Sequence, residues 1–293
     1  MKGKITTIQR MSINDGPGIR STIFMKGCNL RCKWCHNPET FSTEDELERI
    51  ETKCIHCGKC ASVCKSGALT INANGLHFNK KKCTECFKCI DQCFPEALQK
   101  IGKDYTPEEL FQEIMQDFTF FRNSGGGITI SGGEPMLQSD FVKATLKLFH
   151  ENNIHTGIET NMSIPWVKYK GIMPFTDLFM CDIKIIDNEK HKKWTGAGNS
   201  RILKNILNLD KTGKPYYIRT PVIPGFNHSL EEIRQIVDFV GDLKNIKKYE
   251  LLPFHSLAEL KYKNLGIPNP FKGVKSLSQK DLKIYEPILT SII

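Results

Sequence analysis

The chain has 293 residues, of which 40% are hydrophobic and 25% charged, a composition that is ordinary for a globular protein and allows one large domain with a small insertion. No apolar run approaches the length of a membrane span and the N-terminus lacks the apolar core of a signal peptide, so we expect a cytoplasmic protein without a membrane partner. Twelve cysteines then favour metal ligation over disulfides. Eleven of them lie between Cys28 and Cys93, and residues 51–103 also concentrate positive charge, with nine lysines against four acidic residues.

The first predicted strand covers residues 18–27, which are rich in β-branched and aromatic side chains. Cys28, Cys32 and Cys35 follow it in C-x3-C-x2-C spacing, and their thiolates suit an iron–sulfur cluster or zinc. Three ligands hold three corners of a four-iron cluster, and without a fourth cysteine nearby one iron stays open for chemistry. A zinc site completed by His36 is the alternative, although a histidine adjacent to a cysteine ligand closes a tetrahedron awkwardly.

This cysteine loop and its flanks resemble the radical S-adenosylmethionine (radical SAM) enzymes, and among them the activating enzymes of glycyl radical enzymes. The resemblance rests on the three cysteines, on Asn14-Asp15-Gly16-Pro17-Gly18-Ile19-Arg20 before them, and on Cys35-His36-Asn37-Pro38-Glu39 at their end. It extends from about Ile5 to about Leu265 and implies the partial barrel of the radical SAM fold.

An internal repeat of cysteines follows a short acidic patch, residues 43–51, which we interpret as a short helix or linker. A C-x2-C-x2-C-x3-C run recurs 29 residues later, as in bacterial ferredoxins, where the fourth cysteine of each run ligates the other cluster. Zinc ribbons, the alternative for paired C-x2-C motifs, do not need eight cysteines in matched runs. Residues 51–103 are therefore predicted to form a two-cluster ferredoxin-like insertion between residues 1–50 and 104–293 of the main domain. The pattern assigns one 4Fe–4S cluster to Cys54, Cys57, Cys60 and Cys93, and the second to Cys83, Cys86, Cys89 and Cys64.

Beyond residue 103 the pattern changes to alternating helices and strands. Thr106 and Pro107 with two glutamates predict a helix start, and the helix is interrupted by three glycines at 125–127. Six strands separated by helices predict an α/β fold with a parallel sheet, and six units are too few for a closed eight-stranded barrel. A curved, partial (β/α)6 barrel is therefore expected. After the glycines we predict strand 128–131, helix 140–152, strands 154–160 and 176–183, helix 201–211, strand 216–222, helix 230–243 and strand 249–253.

Candidate cofactor-binding residues fall at the carboxyl ends of these strands, where parallel α/β barrels have their active sites. Gly132, Gly133 and Glu134 follow the second strand. The glycines allow close approach of a ligand to the backbone, and a carboxylate accepts hydrogen bonds from an ammonium group. The resemblance implies that this motif contacts the amino group of SAM.

The next two strands end in further candidates. The resemblance implies that Asp182, Ile183 and Lys184 lie at the cofactor, and an ion pair between Asp182 and Lys184 at the barrel mouth is the alternative. It also implies a monovalent cation near the cofactor carboxylate, for which oxygen ligands are suitable. The candidate cation ligands are Glu159, Thr160, Met180 and Asp182.

The remaining candidates are one arginine, two histidines and a tryptophan. Arg219 on the fifth strand is expected to point inward and to need an anionic partner, for which the methionine carboxylate of SAM is a candidate. His228 follows a Pro-Gly pair, as does a nucleoside-contacting histidine of related activators, but at different spacing; a solvated loop histidine is the alternative. Trp34 is expected to pack on the adenine or to fill the core. His36 is also expected to bind the cofactor.

The resemblance implies an oxidoreductase that installs a glycyl radical on a partner enzyme. SAM is cleaved reductively at the cluster of Cys28, Cys32 and Cys35, and the resulting 5′-deoxyadenosyl radical removes hydrogen from a glycine of the partner. We expect SAM, three 4Fe–4S clusters and the monovalent cation as cofactors, a glycyl radical enzyme as protein substrate, and no nucleic-acid partner. A flavodoxin or ferredoxin is the expected electron donor. Lysines 80–82 are expected to steer this donor or an acidic face of the glycyl radical enzyme, and a solvated turn is the alternative. Alternatives are a radical SAM enzyme of a small molecule and a non-catalytic electron-transfer protein.

Overall fold

An eight-stranded sheet forms the frame of the protein, and the computed structural model describes residues 1–73 and 75–289. Eight of the described strands form this sheet, and β3 with β6 and β4 with β5 form two smaller ones. The described strands of the chain are β1 (Gly3–Ser12), β2 (Arg20–Met25), β3 (Glu46–Arg49), β4 (Leu69–Asn72), β5 (Gly75–Phe78), β6 (Leu98–Ile101), β7 (Lys103–Tyr105), β8 (Gly127–Gly132), β9 (His155–Thr160), β10 (Leu178–Asp182), β11 (Tyr216–Val222) and β12 (Ile246–Pro253).

Helices connect the strands of this sheet and cover it. The described α-helices are α1 (Lys59–Ser62), α2 (Pro107–Ile114), α3 (Phe118–Ser124), α4 (Ser139–Glu151), α5 (Trp166–Ile172), α6 (Asn188–Thr195), α7 (Ser200–Asp210), α8 (Leu230–Gly241), α9 (Glu259–Leu265) and α10 (Glu286–Leu289). Among the helices of the described part of the chain, none is long and apolar enough to cross a membrane.

The large sheet is mostly parallel. Its order is β12-β11-β10-β9-β8-β2-β1-β7; the six strands from β12 to β2 are parallel, and β1 and β7 extend the edge antiparallel. The prediction of an α/β fold with six parallel strands is confirmed. Strand β8 is almost wholly buried, as expected for a parallel strand covered on both faces. The core lies between the sheet and the apolar faces of α2, α4, α7 and α8.

Several elements differ from the sequence-based prediction. Strand β1 was not predicted, because most of its residues are half-exposed and polar, with Ile5 as its buried apolar side chain. Residues 43–51 are not a helix or linker, since β3 lies there and pairs antiparallel with β6. Helices α5 and α6 were also missed. The predicted helix start at Thr106 is confirmed by a capping box with Glu109.

The segment from β3 to β6, residues 46–101, is called the insert below. It contains the β3–β6 ladder, the β4–β5 hairpin and a small core of Leu47, Leu69, Leu76 and Leu98 together with cysteines. Its two cysteine runs have matching backbones, with left-handed residues at equivalent positions 29 residues apart. The matching pairs are His56 and Glu85, Gly58 and Phe87, and Gly67 and Glu96.

A buried ion network joins the insert to the sheet. The Lys26 side chain, 0% exposed, donates to Glu46 Oε2 at 2.7 Å and to the Glu39 carbonyl at 2.7 Å. Glu46 also pairs with Lys80 at 3.2 Å, and Lys80 pairs with Glu85 at 2.6 Å. Lys80 is therefore an internal link rather than a free steering charge, because its ammonium is held between two carboxylates.

Helix α9, in the tail for which the sequence carried no prediction, lies across the same junction. Lys261 donates to Asn37 Oδ1 at 2.8 Å and to Glu39 Oε1 at 2.6 Å, both just after the cysteine loop. Asn264 on the same helix donates to Glu48 Oε1 of the insert at 3.0 Å. The tail therefore helps to fix the cysteine loop relative to the insert.

Candidate functional site

A cavity of ≈ 280 Å³ opens at the carboxyl ends of the parallel strands. Residues at or just after the ends of all six parallel strands meet there, as the strand-end argument predicts. The predicted residues that line it are Cys28, Cys32, Trp34, Cys35, His36, Gly132, Gly133, Glu159, Thr160, Asp182 and Lys184.

The three cysteines of the loop are half-buried thiols on this one cavity. Burial raises the pKa of Cys28 to about 12 and also raises the pKa values of Cys32 and Cys35. Such thiols ionise only when a cation replaces their protons, which is how soft metal centres bind. None of the other cysteines lines this cavity, so the donor set fits a four-iron cluster with one open iron.

The zinc alternative needs donors that converge on one ion at about 2.3 Å from each sulfur. Within residues 1–73 and 75–289, no three His, Cys, Asp or Glu side chains converge in this way. The His36 ring instead stacks on His255, with ring centroids 3.8 Å apart, and its Nε2 has no hydrogen-bond partner. His36 lines both this cavity and a larger one of ≈ 800 Å³ beside it.

Gly132 and Gly133 line the cavity, but the protein backbone is what requires them to be glycines. A Cβ at Gly133 would lie 2.0 Å from the Gly27 carbonyl oxygen, directly before Cys28. A Cβ at Gly132, whose φ is +103°, would lie 2.4 Å from the Met25 amide nitrogen. Room for a ligand, the predicted reason for these two glycines, is therefore incomplete as an explanation. The glycines also let the cysteine loop lie against β8.

Glu134, predicted with Gly132 and Gly133 to contact the amino group of SAM, does not line the cavity. Its carboxylate is fully buried and accepts hydrogen bonds from Met136 N at 3.1 Å, Thr160 Oγ1 at 2.8 Å and Asn161 N at 2.9 Å. Burial raises the pKa of Glu134 to about 7. The side chain ties the end of β8 to the end of β9.

Asp182 and Lys184 form an ion pair and also line the cavity, so the two sequence-based interpretations are not exclusive. Lys184 Nζ lies 2.7 Å from Asp182 Oδ2. Burial alone would lower the pKa of Lys184, but the charge of Asp182 and its hydrogen bond to Lys184 raise it, so the ammonium stays charged. Ile183 is not at the cofactor cavity; it belongs to the main core, since its neighbours alternate to the other face.

Arg219, predicted as a candidate to bind the methionine carboxylate of SAM, has anionic partners within the protein. Its Nε donates to Glu250 at 2.9 Å and its Nη1 to Glu159 at 3.0 Å, while Nη2 donates to the Asn14 carbonyl at 2.6 Å. Despite burial, the two carboxylates raise the pKa of Arg219. Burial also raises the pKa of Glu159 against the opposing charge of Arg219.

His228 does not line either cavity: its ring packs edge-on against Tyr285, with centroids 6.3 Å apart. The neighbouring Asn227, which sequence reasoning missed, is fully buried and donates to the carbonyls of Lys184 at 2.7 Å and Pro221 at 2.8 Å. Trp34 packs on Phe226 with centroids 4.5 Å apart, as a core residue would, and it also lines the cavity.

Two residues of the site had no role in the sequence-based prediction. Asn161 lines the cavity directly after β9, and His255 lines the larger cavity after β12. Their positions at strand ends were the available signal. The two cavities share His36, Pro221 and Leu252 and form neighbouring parts of one cleft.

Two smaller cavities in the insert are each lined by four cysteines. The cavity called site I is lined by Cys54, Cys57, Cys60 and Cys93. The cavity called site II is lined by Cys64, Cys83, Cys86 and Cys89.

The family model of the radical SAM superfamily matches residues 22–240, three quarters of the chain. This range contains the cysteine loop, most of β2 and the parallel strands β8, β9, β10 and β11, whereas β12 lies beyond it. The chain belongs to the radical SAM superfamily. As such it uses SAM and a 4Fe–4S cluster.

Known relatives are similar over nearly the whole chain. The (2S)-3-sulfopropanediol dehydratase activating enzyme of Klebsiella oxytoca is 40% identical over 93% of this chain and 88% of its own length. The 4-hydroxyphenylacetate decarboxylase activating enzyme of Clostridioides difficile strain CD196 is 39% identical over 98% of this chain and 93% of its own length. The predicted resemblance to activating enzymes is confirmed. Streptococcus suis SuiB bound to precursor peptide SuiA shares the fold, with a TM-score of 0.52, 14% identity, and coverage of 90% of this chain and 43% of that one.

We expect Gly133→Ala to displace the cysteine loop, because the added methyl would overlap the Gly27 carbonyl. Anaerobically reconstituted variant protein should lose about four irons per chain, one cluster, as measured by iron analysis. Gly171→Ala in α5 is the matched control, since nothing lies within 4 Å of its Cβ position. Equal iron content in both variants would contradict the packing argument.

Glu134 should make the stability of the protein fall as pH rises. Its folded pKa of about 7 lies above its ordinary value of 4.5, so the folded protein keeps a proton that the unfolded chain releases between these values. The free energy of unfolding should therefore decrease between about pH 4.5 and 7, by up to roughly 3 kcal/mol from this group. Anaerobic urea unfolding of Glu134→Gln should show a shallower decrease than the parent. Identical slopes would disprove the assignment.

Proposed function

We propose that this protein activates a partner glycyl radical enzyme by placing a radical on one of its glycines. The observation that carries the proposal is that Cys28, Cys32 and Cys35 open, without a fourth cysteine, on the cavity at the strand ends. Its relatives of about 40% identity are activating enzymes. When bound, the cluster supplies one electron that cleaves SAM into methionine and a 5′-deoxyadenosyl radical, which takes hydrogen from the partner's glycine.

The residues of this chain hold and orient the reactants. Cys28, Cys32 and Cys35 are the proposed cluster ligands. With Arg219 occupied by carboxylates, the charged Lys184 facing the cavity is the better candidate for the methionine carboxylate, and Asp182 beside it for the amino group. No side chain is required to move a proton in this reaction, so the role of the remaining polar groups is binding.

Trp34, His36, Gly132 and Gly133 are proposed to contact the rest of SAM. All four line the cavity, and the His36 Nε2 is a buried nitrogen free to bond a ligand in the described structure. The larger neighbouring cavity of ≈ 800 Å³ offers room for an extended glycine-bearing loop, which must bring its Cα nearly into contact with the 5′ carbon.

A monovalent cation remains part of the proposal, with fewer side-chain ligands than the sequence analysis expected. Glu159 and Asp182 both line the cavity, and the charge of Asp182 contributes to raising the pKa of Glu159, a repulsion that a cation would relieve. Thr160 Oγ1 already donates to Glu134, and the Met180 side chain is fully buried. These two residues would therefore contribute only their carbonyl oxygens.

We infer that the insert is a two-cluster ferredoxin domain and that sites I and II each hold a 4Fe–4S cluster. Four thiols on each cavity are the right donor set. Left-handed residues within each run form concavities of N–H groups, which suit anionic iron–sulfur centres. The Leu69 and Glu85 amides donate to Cys64 Sγ and Cys83 Sγ at 3.4 Å. The domain would begin at β3 rather than at residue 51, because β3 pairs with β6.

We also infer that the large sheet curves into a partial (β/α)6 barrel. Arg219 on β11 reaches the carbonyl of Asn14 in the loop that joins β1 to β2, and β2 lies four strands away in the sheet. In a flat sheet this separation would be about 19 Å, more than an arginine side chain spans.

The electron donor in this proposal is a flavodoxin or a ferredoxin, which would reduce the clusters of the insert.

The cluster assignment is tested by iron analysis and by SAM cleavage. Reconstituted protein should carry about twelve irons per chain, and a variant with Cys28, Cys32 and Cys35 all changed to alanine should lose about four and all cleavage. Cys181→Ala is the matched control, since Cys181 is a buried core residue outside the cavities. Cleavage by the triple variant would refute the proposal. Robust cleavage without a glycyl radical signal on any partner would favour a small-molecule substrate.

A further inference from the structure

The two cysteine runs of the insert end differently although they are repeats. Cys64 ends the first run and lines site II, whereas Cys93 ends the second run and lines site I. Two residues after Cys64 stands Ser66, and the equivalent residue after Cys93 is Pro95. Each of these two residues lines the same site as the cysteine before it. A hydroxyl side chain therefore borders site II at the position where a proline borders site I.

The Ser66 hydroxyl makes a hydrogen bond with the Cys64 sulfur. Ser66 Oγ lies 3.6 Å from Cys64 Sγ, a length that suits an atom as large as sulfur. A cysteine sulfur that ligates iron has lost its proton, so at a loaded site the hydroxyl is the donor. Pro95 has neither a hydroxyl nor a backbone N–H, so it cannot donate to Cys93 in the same way.

Two backbone amides add to the hydrogen bonds on the sulfurs of site II. Leu69 N donates to Cys64 Sγ at 3.4 Å, and Glu85 N donates to Cys83 Sγ at 3.4 Å. An electron added to an iron–sulfur cluster increases the negative charge on its sulfurs. Hydrogen-bond donors to these sulfurs therefore stabilise the reduced cluster and raise its reduction potential.

Positive charges next to the cysteines also favour reduction of site II. Lys65, Lys82 and Lys88 each directly precede or follow a cysteine of site II. Lys53 and Lys59 are the corresponding lysines at site I, where a phenylalanine takes the third position. Site II therefore has one more neighbouring cation than site I.

Acidic residues contribute to the same difference. Asp91 and Glu96, exposed on either side of Cys93, are replaced by serine and glycine at the equivalent positions of the first run. Glu85 lines site II, but Lys80 pairs with it at 2.6 Å and compensates its charge. Exposed charges act weakly because water and salt screen them. The hydrogen bonds and the charges nevertheless act in one direction.

We propose that the Ser66 hydroxyl raises the reduction potential of the site II cluster above that of the site I cluster. The inference rests on the proposed function, in which both sites hold 4Fe–4S clusters. One electron from a low-potential carrier then resides on site II, whichever site it enters first. The carrier is oxidised by one electron, the site II cluster is reduced by one, and no proton is transferred.

Site II is also connected to the barrel by ion pairs. Glu85 at this site is joined through Lys80 and Glu46 to Lys26, two residues before Cys28. An electron held at site II is therefore held beside the network that supports the cysteine loop. It leaves site II for the barrel cluster, where SAM cleavage consumes it.

The test is an anaerobic redox titration of the cluster-loaded, full-length protein, followed by electron paramagnetic resonance. The variant with Cys28, Cys32 and Cys35 changed to alanine identifies the barrel signal, because its spectrum lacks that signal. The two remaining signals of the parent should have separate midpoint potentials.

Ser66→Ala should make reduction of the higher-potential cluster about tenfold less favourable, which lowers its midpoint by about 59 mV for one electron. Ser66→Thr keeps the hydroxyl and should retain the parent midpoint. Ser62→Ala is the matched control, since the Ser62 hydroxyl donates to the Lys59 carbonyl at 2.8 Å and lines neither site. It should leave both midpoints unchanged.

Pro95→Ser tests the argument from site I, because a hydroxyl beside Cys93 should raise the lower midpoint. It also decides the question if Ser66→Ala binds less iron than the parent. Equal midpoints of the two insert clusters in the parent would overturn the proposal. An unchanged higher midpoint in Ser66→Ala with full iron content, or an unchanged lower midpoint in Pro95→Ser, would also overturn it.

Two measurements on the parent separate this inference from the proposed function. A parent that binds about four irons instead of about twelve would refute the two-cluster ferredoxin domain, and the inference with it. A parent with separate insert midpoints that cleaves no SAM with a chemical reductant would refute the proposed function of the barrel and leave the order of the two potentials standing.

Discussion

The contact between Gly133 and the Gly27 carbonyl, too close for any side chain, is the constraint on which the site depends. It fixes the start of the cysteine loop on the end of β8, so that the thiols face the cavity at the strand ends. Lys26 holds the loop from the side of the insert, and Lys261 on α9 holds its far end through Asn37 and Glu39. Contacts of this kind orient the cysteines that would hold the cluster.

The charges around the cavity are arranged so that one cation remains available to a ligand. Arg219 is balanced by Glu159 and Glu250, whereas Lys184 has Asp182 as its carboxylate partner and also faces the cavity. A zwitterionic methionine group can bind beside such a pair by matching each charge with its opposite. We propose that the electron needed for its cleavage comes from the insert, which the Lys26–Glu46 ion pair joins to the same loop.

Features with a local signature could be predicted from the sequence, and features set by distant partners could not. The parallel strands and the cysteine runs have periodicity or spacing of their own, and the predicted α/β fold followed from them. The partners of Arg219 lie on β9 and β12, and those of Glu134 on the next strand end, so neither assignment was accessible from spacing. Strands β1 and β3 are polar and are stabilised by their neighbours in the sheets, which propensity does not report.

The central claim is that hydrogen passes directly from a partner's glycine to the 5′ carbon of SAM. It is tested most directly by incubating the reduced protein with SAM and a candidate glycyl radical enzyme produced with glycine deuterated at Cα. Mass spectrometry of the 5′-deoxyadenosine should show one deuterium gained, in proportion to the glycyl doublet in the electron paramagnetic resonance spectrum of the partner. Unlabelled 5′-deoxyadenosine with a partner that acquires no radical would contradict the account.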